Sequence, residues 1–175
     1  MNTEAVNRAA SAAHALCDDI QAFREFCTFA VKDPCFVAAF LNALAERIHA
    51  DNVTAGWWTD PKTGDNILHT RNVPEMLCLI HSEISEAMEG HRKNLMDDKL
   101  PHRPMLQVEL VDAAIRIFDL AGSRMAIERE YIEAQAPVEV SENPFGDIFE
   151  EKRAFNRSRE DHKLANRLKA GGKAF

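Results

Sequence analysis

Between Leu106 and Leu120 the chain carries ten apolar residues and only four charges: Glu109, Asp112, Arg116 and Asp119. At helical periodicity, about 100° per residue, those four share a sector roughly 80° wide. An ordinary surface helix has a broad polar face, so this pattern predicts a nearly buried cylinder with one narrow charged stripe. Carboxylates in such a setting are costly unless they are paired or bind a metal. Arg116 can neutralise one of them, which leaves a net negative stripe.

The segment 73–93 shows the same conflict. Glu83 falls among Met76, Leu79, Ile80 and Ala87, inside the apolar sector. Glu86 is about 60° further toward solvent, so the two acids project from neighbouring positions of one face. Glu109 and Asp112 repeat the i,i+3 spacing on the next helix. If the two helices pack antiparallel, all four carboxylates converge. Hard oxygen donors without Cys or His favour Mg²⁺, or Mn²⁺, over zinc. The plain alternative is a solvated acidic face, which is the usual fate of a lone E-x-x-E. A di-iron carboxylate bundle needs two E-x-x-H pairs, and the chain offers Glu46 with His49 and no second pair.

The rest of the chain reads as helices punctuated by proline. Residues 3–31 have helical apolar spacing through Ala13, Leu16, Ile20, Phe23 and Phe26. Asp33-Pro34 stops that helix and starts another over 35–50, with Asp as cap and Pro in the first turn. Pro74 and Pro104 open the helices over 73–93 and from 104 to about 133. From Asp51 to Asn72 the periodicity vanishes, and Gly56-Trp57-Trp58 to Gly64 reads as an ordered loop. Pro137 and Pro144 bracket an extended linker, followed by a short helix near 145–159 and a tail ending Gly171-Gly172-Lys173-Ala174-Phe175. There is no internal repeat and no alternation of strand with helix. The expected fold is all-α: a four-helix-bundle core with an additional N-terminal helix and a short C-terminal helix and tail. Residues 1–50 form an N-terminal helical region and 51–175 the core with its basic tail, together one compact unit.

Of the four cysteines, Cys17, Cys27, Cys35 and Cys78, none forms a C-x-x-C pair, and three lie in apolar helical settings typical of reduced core cysteines. The longest apolar run, Cys35–Leu41, is seven residues, against the roughly 20 of a membrane span. No basic-then-apolar leader pattern is present. A cytoplasmic protein without a membrane partner is expected. The formal charge of −7 disfavours a nucleic-acid polymer as partner. That charge is unevenly spread: residues 1–150 carry 13 basic and 25 acidic side chains, residues 151–175 carry 8 and 3.

At Ser82-Glu83-Ile84-Ser85-Glu86, followed after 22 residues by Glu109-Leu110-Val111-Asp112, the sequence resembles the all-α nucleoside triphosphate pyrophosphohydrolases, the MazG-like superfamily. Their signature is E-E-x-x-E, a spacer, then E-x-x-D; Ser82 departs from it where many members have a first Glu. Gly56-Trp57-Trp58, the run Arg71 to Glu75, and the terminal Lys152, Asn156-Arg157, Arg159 and Gly171-Gly172-Lys173 are similar to one branch. The resemblance covers residues 50–175.

It implies Mg²⁺-dependent hydrolysis of a (deoxy)nucleoside triphosphate to monophosphate and pyrophosphate, in nucleotide-pool sanitation or dNTP control, by a homodimer or dimer of dimers. Glu83, Glu86, Glu109 and Asp112 would hold metal ions, and one would orient or deprotonate the attacking water. Acids alone repel a triphosphate, so a cationic group must face them. Lys152, Asn156 and Arg159, at i, i+4 and i+7 of one helical face, are the candidates, and a solvated basic helix is the plain alternative. Trp57 and Trp58 either stack a nucleobase or pin their loop by burial. His91, Arg92 and Lys93 suit the C-terminus of their helix through its dipole. The competing functions are a phosphoribosyl-ATP pyrophosphohydrolase, a di-iron oxidase and a non-enzymatic helical interaction module.

Overall fold

In the computed structural model, residues 20–134 and 144–169 are described. Two of the helices start where proline and a capping side chain coincide. α1 comprises Ile20–Ala30 and α2 Pro34–Thr54. The Asp33 carboxylate accepts the backbone N–H of Cys35 at 2.8 Å and of Phe36 at 3.2 Å, the two donors a first turn leaves open. α3 runs Val73–Lys93, with Asn72 accepting from the Glu75 N–H and His91, Arg92 and Lys93 in its last turn. Asn94 ends it in the left-handed region, φ 51°. α4 runs Met105–Glu133 behind Pro104, α5 Pro144–Ser158, and a single 3₁₀ turn precedes the four-residue α6, Leu164–Arg167. No strand occurs among the described residues; two isolated bridges, Thr59 with Asn66 and Met96 with Pro104, close the connections. The protein is all-α, as its periodicity predicts.

The chain divides into two compact units, one of Leu41–Phe145 and one of Met1–Phe40 with Gly146–Phe175. The first holds the end of α2, the aromatic loop, α3 and α4. α3 and α4 pack along their length as an antiparallel pair. At the hairpin end a Cβ on Gly90 would lie 2.9 Å from the Met105 side chain. α2 meets α4 at smaller residues still. A Cβ on Gly122 would stand 2.4 Å from the Ala45 carbonyl oxygen, and Ala45 is fully buried. In the other unit, Phe26 meets Phe36 edge-on at 6.1 Å and Phe36 stacks on Phe40 at 6.3 Å. Gly146 lies against the Ala38 backbone there, so close that a Cβ would be 2.1 Å from its carbonyl oxygen.

Three expectations are corrected. α4 is not a buried cylinder: Leu110, Val111, Ile115 and Ile117 are exposed opposite its packed face. Cys35 and Cys78 are exposed and Cys27 half-buried, so these thiols are not core residues. α5 stops at Ser158, one residue before Arg159, where the pattern carried it to 159. Cys17, the helix before residue 20, the linker at 135–143 and the final glycines lie outside the described residues. No single described helix is long and apolar enough to cross a membrane; Gln21–Ala30 and Pro34–Thr54 reach that measure only jointly, across a 107° bend.

Candidate metal centre and adjoining cavity

Antiparallel packing of α3 on α4 brings the two acidic motifs together. Glu83 and Glu109 are buried, Glu86 is exposed, and each offers a carboxylate oxygen within 4.8 Å of the others. Asp112, one turn beyond Glu109, is half-buried beside the cluster. Arg116 Nε donates to Glu83 Oε1 at 2.7 Å, the neutralising contact the stripe requires. One guanidinium does not balance four acids. Burial, then a hydrogen bond shared with Glu83, then the charges of Glu86, Glu83 and Asp112 push the Glu109 carboxyl up from 4.5 to about 7. Asp112 is raised too, by burial and by Glu83, against the lowering effect of Arg116. The structure thus places Glu83, Glu86 and Glu109 in one group with Asp112 adjacent.

These residues fit a divalent cation. The donors are all hard oxygens from opposed helices, each carboxylate offering an oxygen within 4.8 Å of the others. The Glu46–His49 pair does not serve a second metal: Glu46 accepts from Arg129 at 2.5 Å and His49 Nδ1 bonds Asp119 at 2.9 Å.

The two tryptophans part company. Trp58 is 3% exposed, and its indole N–H donates to Asp119 Oδ1 at 2.9 Å. The His49 ring meets it edge-on at 4.8 Å, and Arg71 lies over its other side, 5.8 Å from the ring centre. Trp58 is the pin. Trp57, 65% exposed, is held by its backbone N–H on the Asn52 carbonyl at 3.0 Å. Its side chain lines a cavity of about 390 Å³ with Asn52, Leu79, Arg116 and Asp119, reaching Asp112 of the acidic group. A smaller cavity of about 40 Å³ shares Trp57, Leu79, Arg116 and Asp119 and adds the edge of Trp58. Sequence reading placed Asp119 in the charged stripe without its role. Asn52 carried no signal, and His49 carried a misleading one.

Lys152, Asn156 and Arg159 belong to the other compact unit. Lys152 Nζ lies 4.8 Å above the Phe155 ring, and Arg159 lies 6.0 Å from it. Arg159 is also engaged by Asp161, Nη2 to Oδ2 at 2.6 Å, and Asn156 is half-buried. His81 is exposed on α3. No family model, curated protein or solved structure matches this chain.

Proposed function

We propose that the protein hydrolyses (deoxy)nucleoside triphosphates to the monophosphate and pyrophosphate with Mg²⁺, Mn²⁺ substituting, in nucleotide-pool sanitation or dNTP control in the cytoplasm. The observation that carries this reading is the convergence of Glu83, Glu86 and Glu109 from two helices, with Asp112 on the next turn, at the end of a cavity walled by an exposed indole. The resemblance of both acidic motifs and the tryptophan loop to the MazG-like enzymes supports it.

Glu83, Glu86, Glu109 and Asp112 would hold the cation. Bound there, a divalent ion lowers the pKa of its water and offsets charge on phosphate oxygens. The chain's own residues do the remainder. One of these four carboxylates orients or deprotonates the attacking water. Arg116, its side chain 42% exposed while bonded to Glu83, presents a guanidinium between the acids and the cavity, where phosphate oxygens need a donor. The indole of Trp57 offers a stacking face.

A second copy of the chain completes the protein as a homodimer or dimer of dimers. On α3 the exposed Leu77, Ile84 and Met88 recur at i, i+7 and i+11, and Leu110 and Ile117 form a matching stripe on α4. Apolar stripes of this kind are buried by association.

The test is incubation with a panel of NTPs and dNTPs plus Mg²⁺, followed by identification of the phosphorus products. Pyrophosphate with monophosphate is expected; orthophosphate, or no turnover of any nucleotide, refutes the reading. Glu86→Gln and Asp112→Asn each abolish turnover without loss of helix content.

A further inference from the structure

The cavity beside the acidic cluster contains a polar group that the hydrolytic chemistry does not use. Asp119 is 7% exposed, yet it lines both adjoining cavities. Its two hydrogen bonds among the described residues both end on Oδ1, from the Trp58 indole N–H and from His49 Nδ1, each at 2.9 Å. An ionised carboxylate is acceptor-only and has about four lone-pair sites, two on each oxygen. Oδ1 is saturated by these donors. Oδ2 is therefore the acceptor left to a ligand, and a carboxylate this buried favours a ligand that donates to it.

The position of that acceptor is informative. Asp112 and Asp119 are seven residues apart on α4, two turns and about 10 Å along the axis. One end of the cavity is thus at the metal group and the other at Asp119, with Arg116 between them and the Trp57 indole alongside. A nucleotide lying along α4 with its phosphates at Asp112 sets its base against Trp57 and Asp119.

We infer that this cavity is a nucleobase site selecting bases that carry an exocyclic amino group, with Asp119 Oδ2 accepting from that group, Trp57 stacking on the ring and Asn52 facing its edge. Cytosine, adenine and guanine present such a donor. Uracil and thymine present a carbonyl oxygen where cytosine has its amino group, and hypoxanthine does so where adenine has it; at the position of guanine's amino group hypoxanthine has only hydrogen, and in none of these does the replacing group donate a proton to the carboxylate. A site built to bond a donor rejects the analogue lacking it far more strongly than an apolar pocket rejects a missing methyl. The inference rests on the nucleotide reading above and adds its base selectivity. Trp58 and His49 are positioning residues here: they fix the carboxylate and, through it, the loop bearing Trp57.

The experiment has two arms. Titration of nucleoside monophosphates without metal, followed by quenching of tryptophan fluorescence, reads base binding independently of hydrolysis. Cytosine is compared with uracil, and adenine and guanine each with hypoxanthine; the best-bound base is expected to be an amino-bearing one, favoured at least about tenfold over its counterpart without that amino group. Steady-state kcat/KM for the triphosphates, with Mg²⁺, shows the same order. Asp119→Asn, which keeps an oxygen for Trp58 and replaces the other acceptor by an N–H₂ donor, narrows or reverses that ratio. Equal binding of each pair, preference for the base without the amino group, or absence of any base binding overturns the inference. Because the wild-type pairs decide this, a poorly folding variant does not rescue it. Selective binding without hydrolysis sinks the enzymatic reading and upholds the base site; hydrolysis without selectivity does the reverse.

Discussion

Replacing Glu109 by Gln is expected to stabilise the metal-free protein at neutral to alkaline pH while removing its response to Mg²⁺. Glu109 is buried among Glu83, Glu86 and Asp112, and its carboxyl is raised from 4.5 to about 7. A carboxyl whose folded pKa lies above its unfolded one holds its proton more tightly in the fold. Below about 4.5 it is protonated in both states and costs nothing. Between there and about 7 the unfolded chain has released the proton and the fold has not, so stability falls as pH rises; above about 7 the cost is constant. At about 1.4 kcal/mol per pKa unit the full cost is at most about 3 kcal/mol. Gln mimics the protonated carboxyl and escapes this cost. For a chain of this size that corresponds to a melting point roughly 5–10 °C above wild type at pH 8 in chelator. The gap closes toward pH 4.5. Added Mg²⁺ closes the gap and, at high excess, reverses the order: wild type gains about 2.7 kcal/mol at one hundred times its Kd and about 4.1 at one thousand times, and the variant gains much less. Thermal melts at pH 4.5, 6, 7 and 8, with EDTA and with Mg²⁺, measure all of this. A variant that melts no higher than wild type at pH 8 in EDTA, or that responds equally to Mg²⁺, refutes the argument.

The same proton predicts that Mg²⁺ affinity rises with pH up to about 7 and then levels, with proton release on binding; calorimetry at pH 6 in buffers of different ionisation enthalpy reads it. Gly122→Ala, whose Cβ would stand 2.4 Å from the Ala45 carbonyl oxygen, destabilises by about 1–3 kcal/mol in denaturant titration, because backbone faces backbone and neither side yields. Asp119→Ala orphans the Trp58 indole N–H and His49 Nδ1 together, costs about 1–3 kcal/mol per orphaned group, and weakens the near-UV signal of the tryptophans. Arg116→Met leaves Glu83 buried without its donor and lowers the melting point of the metal-free protein in a thermal melt.

Much of this protein is written in short stretches of chain. Asp33-Pro34, Asn72 and Pro104 mark helix starts within a residue or two, because a cap is a local matter: one side chain, two or three neighbouring N–H groups and a preset φ. The acidic motifs were legible for a similar reason. Spacing of i,i+3 places Glu83 with Glu86, and Glu109 with Asp112, on one face of any helix, and acids amid apolar neighbours announce a conflict that something must resolve. The exposure of Leu110, Val111, Ile115 and Ile117 was not legible, since periodicity shows which residues are apolar and not how many neighbours one chain supplies to cover them. Cys35 and Cys78 fall under the same limit. The end of the C-terminal helix differs by one residue, at Ser158 rather than Arg159.

The sequence by itself determined the helices, where those at Asp33-Pro34, Asn72 and Pro104 start, and the four carboxylates, because these follow from periodicity and from contacts within a turn or two. Only the tertiary structure decided which acid carries the raised pKa, since Glu109 owes it to burial and to Glu83 and Glu86 on the opposing helix. Only the tertiary structure separated Trp57 from Trp58. Adjacent in the chain and chemically identical, they differ because Asp119, sixty-one residues from Trp58, captures one indole N–H and leaves the other ring open to the cavity. Such roles depend on partners distant in sequence, and no local pattern encodes which distant group will be near.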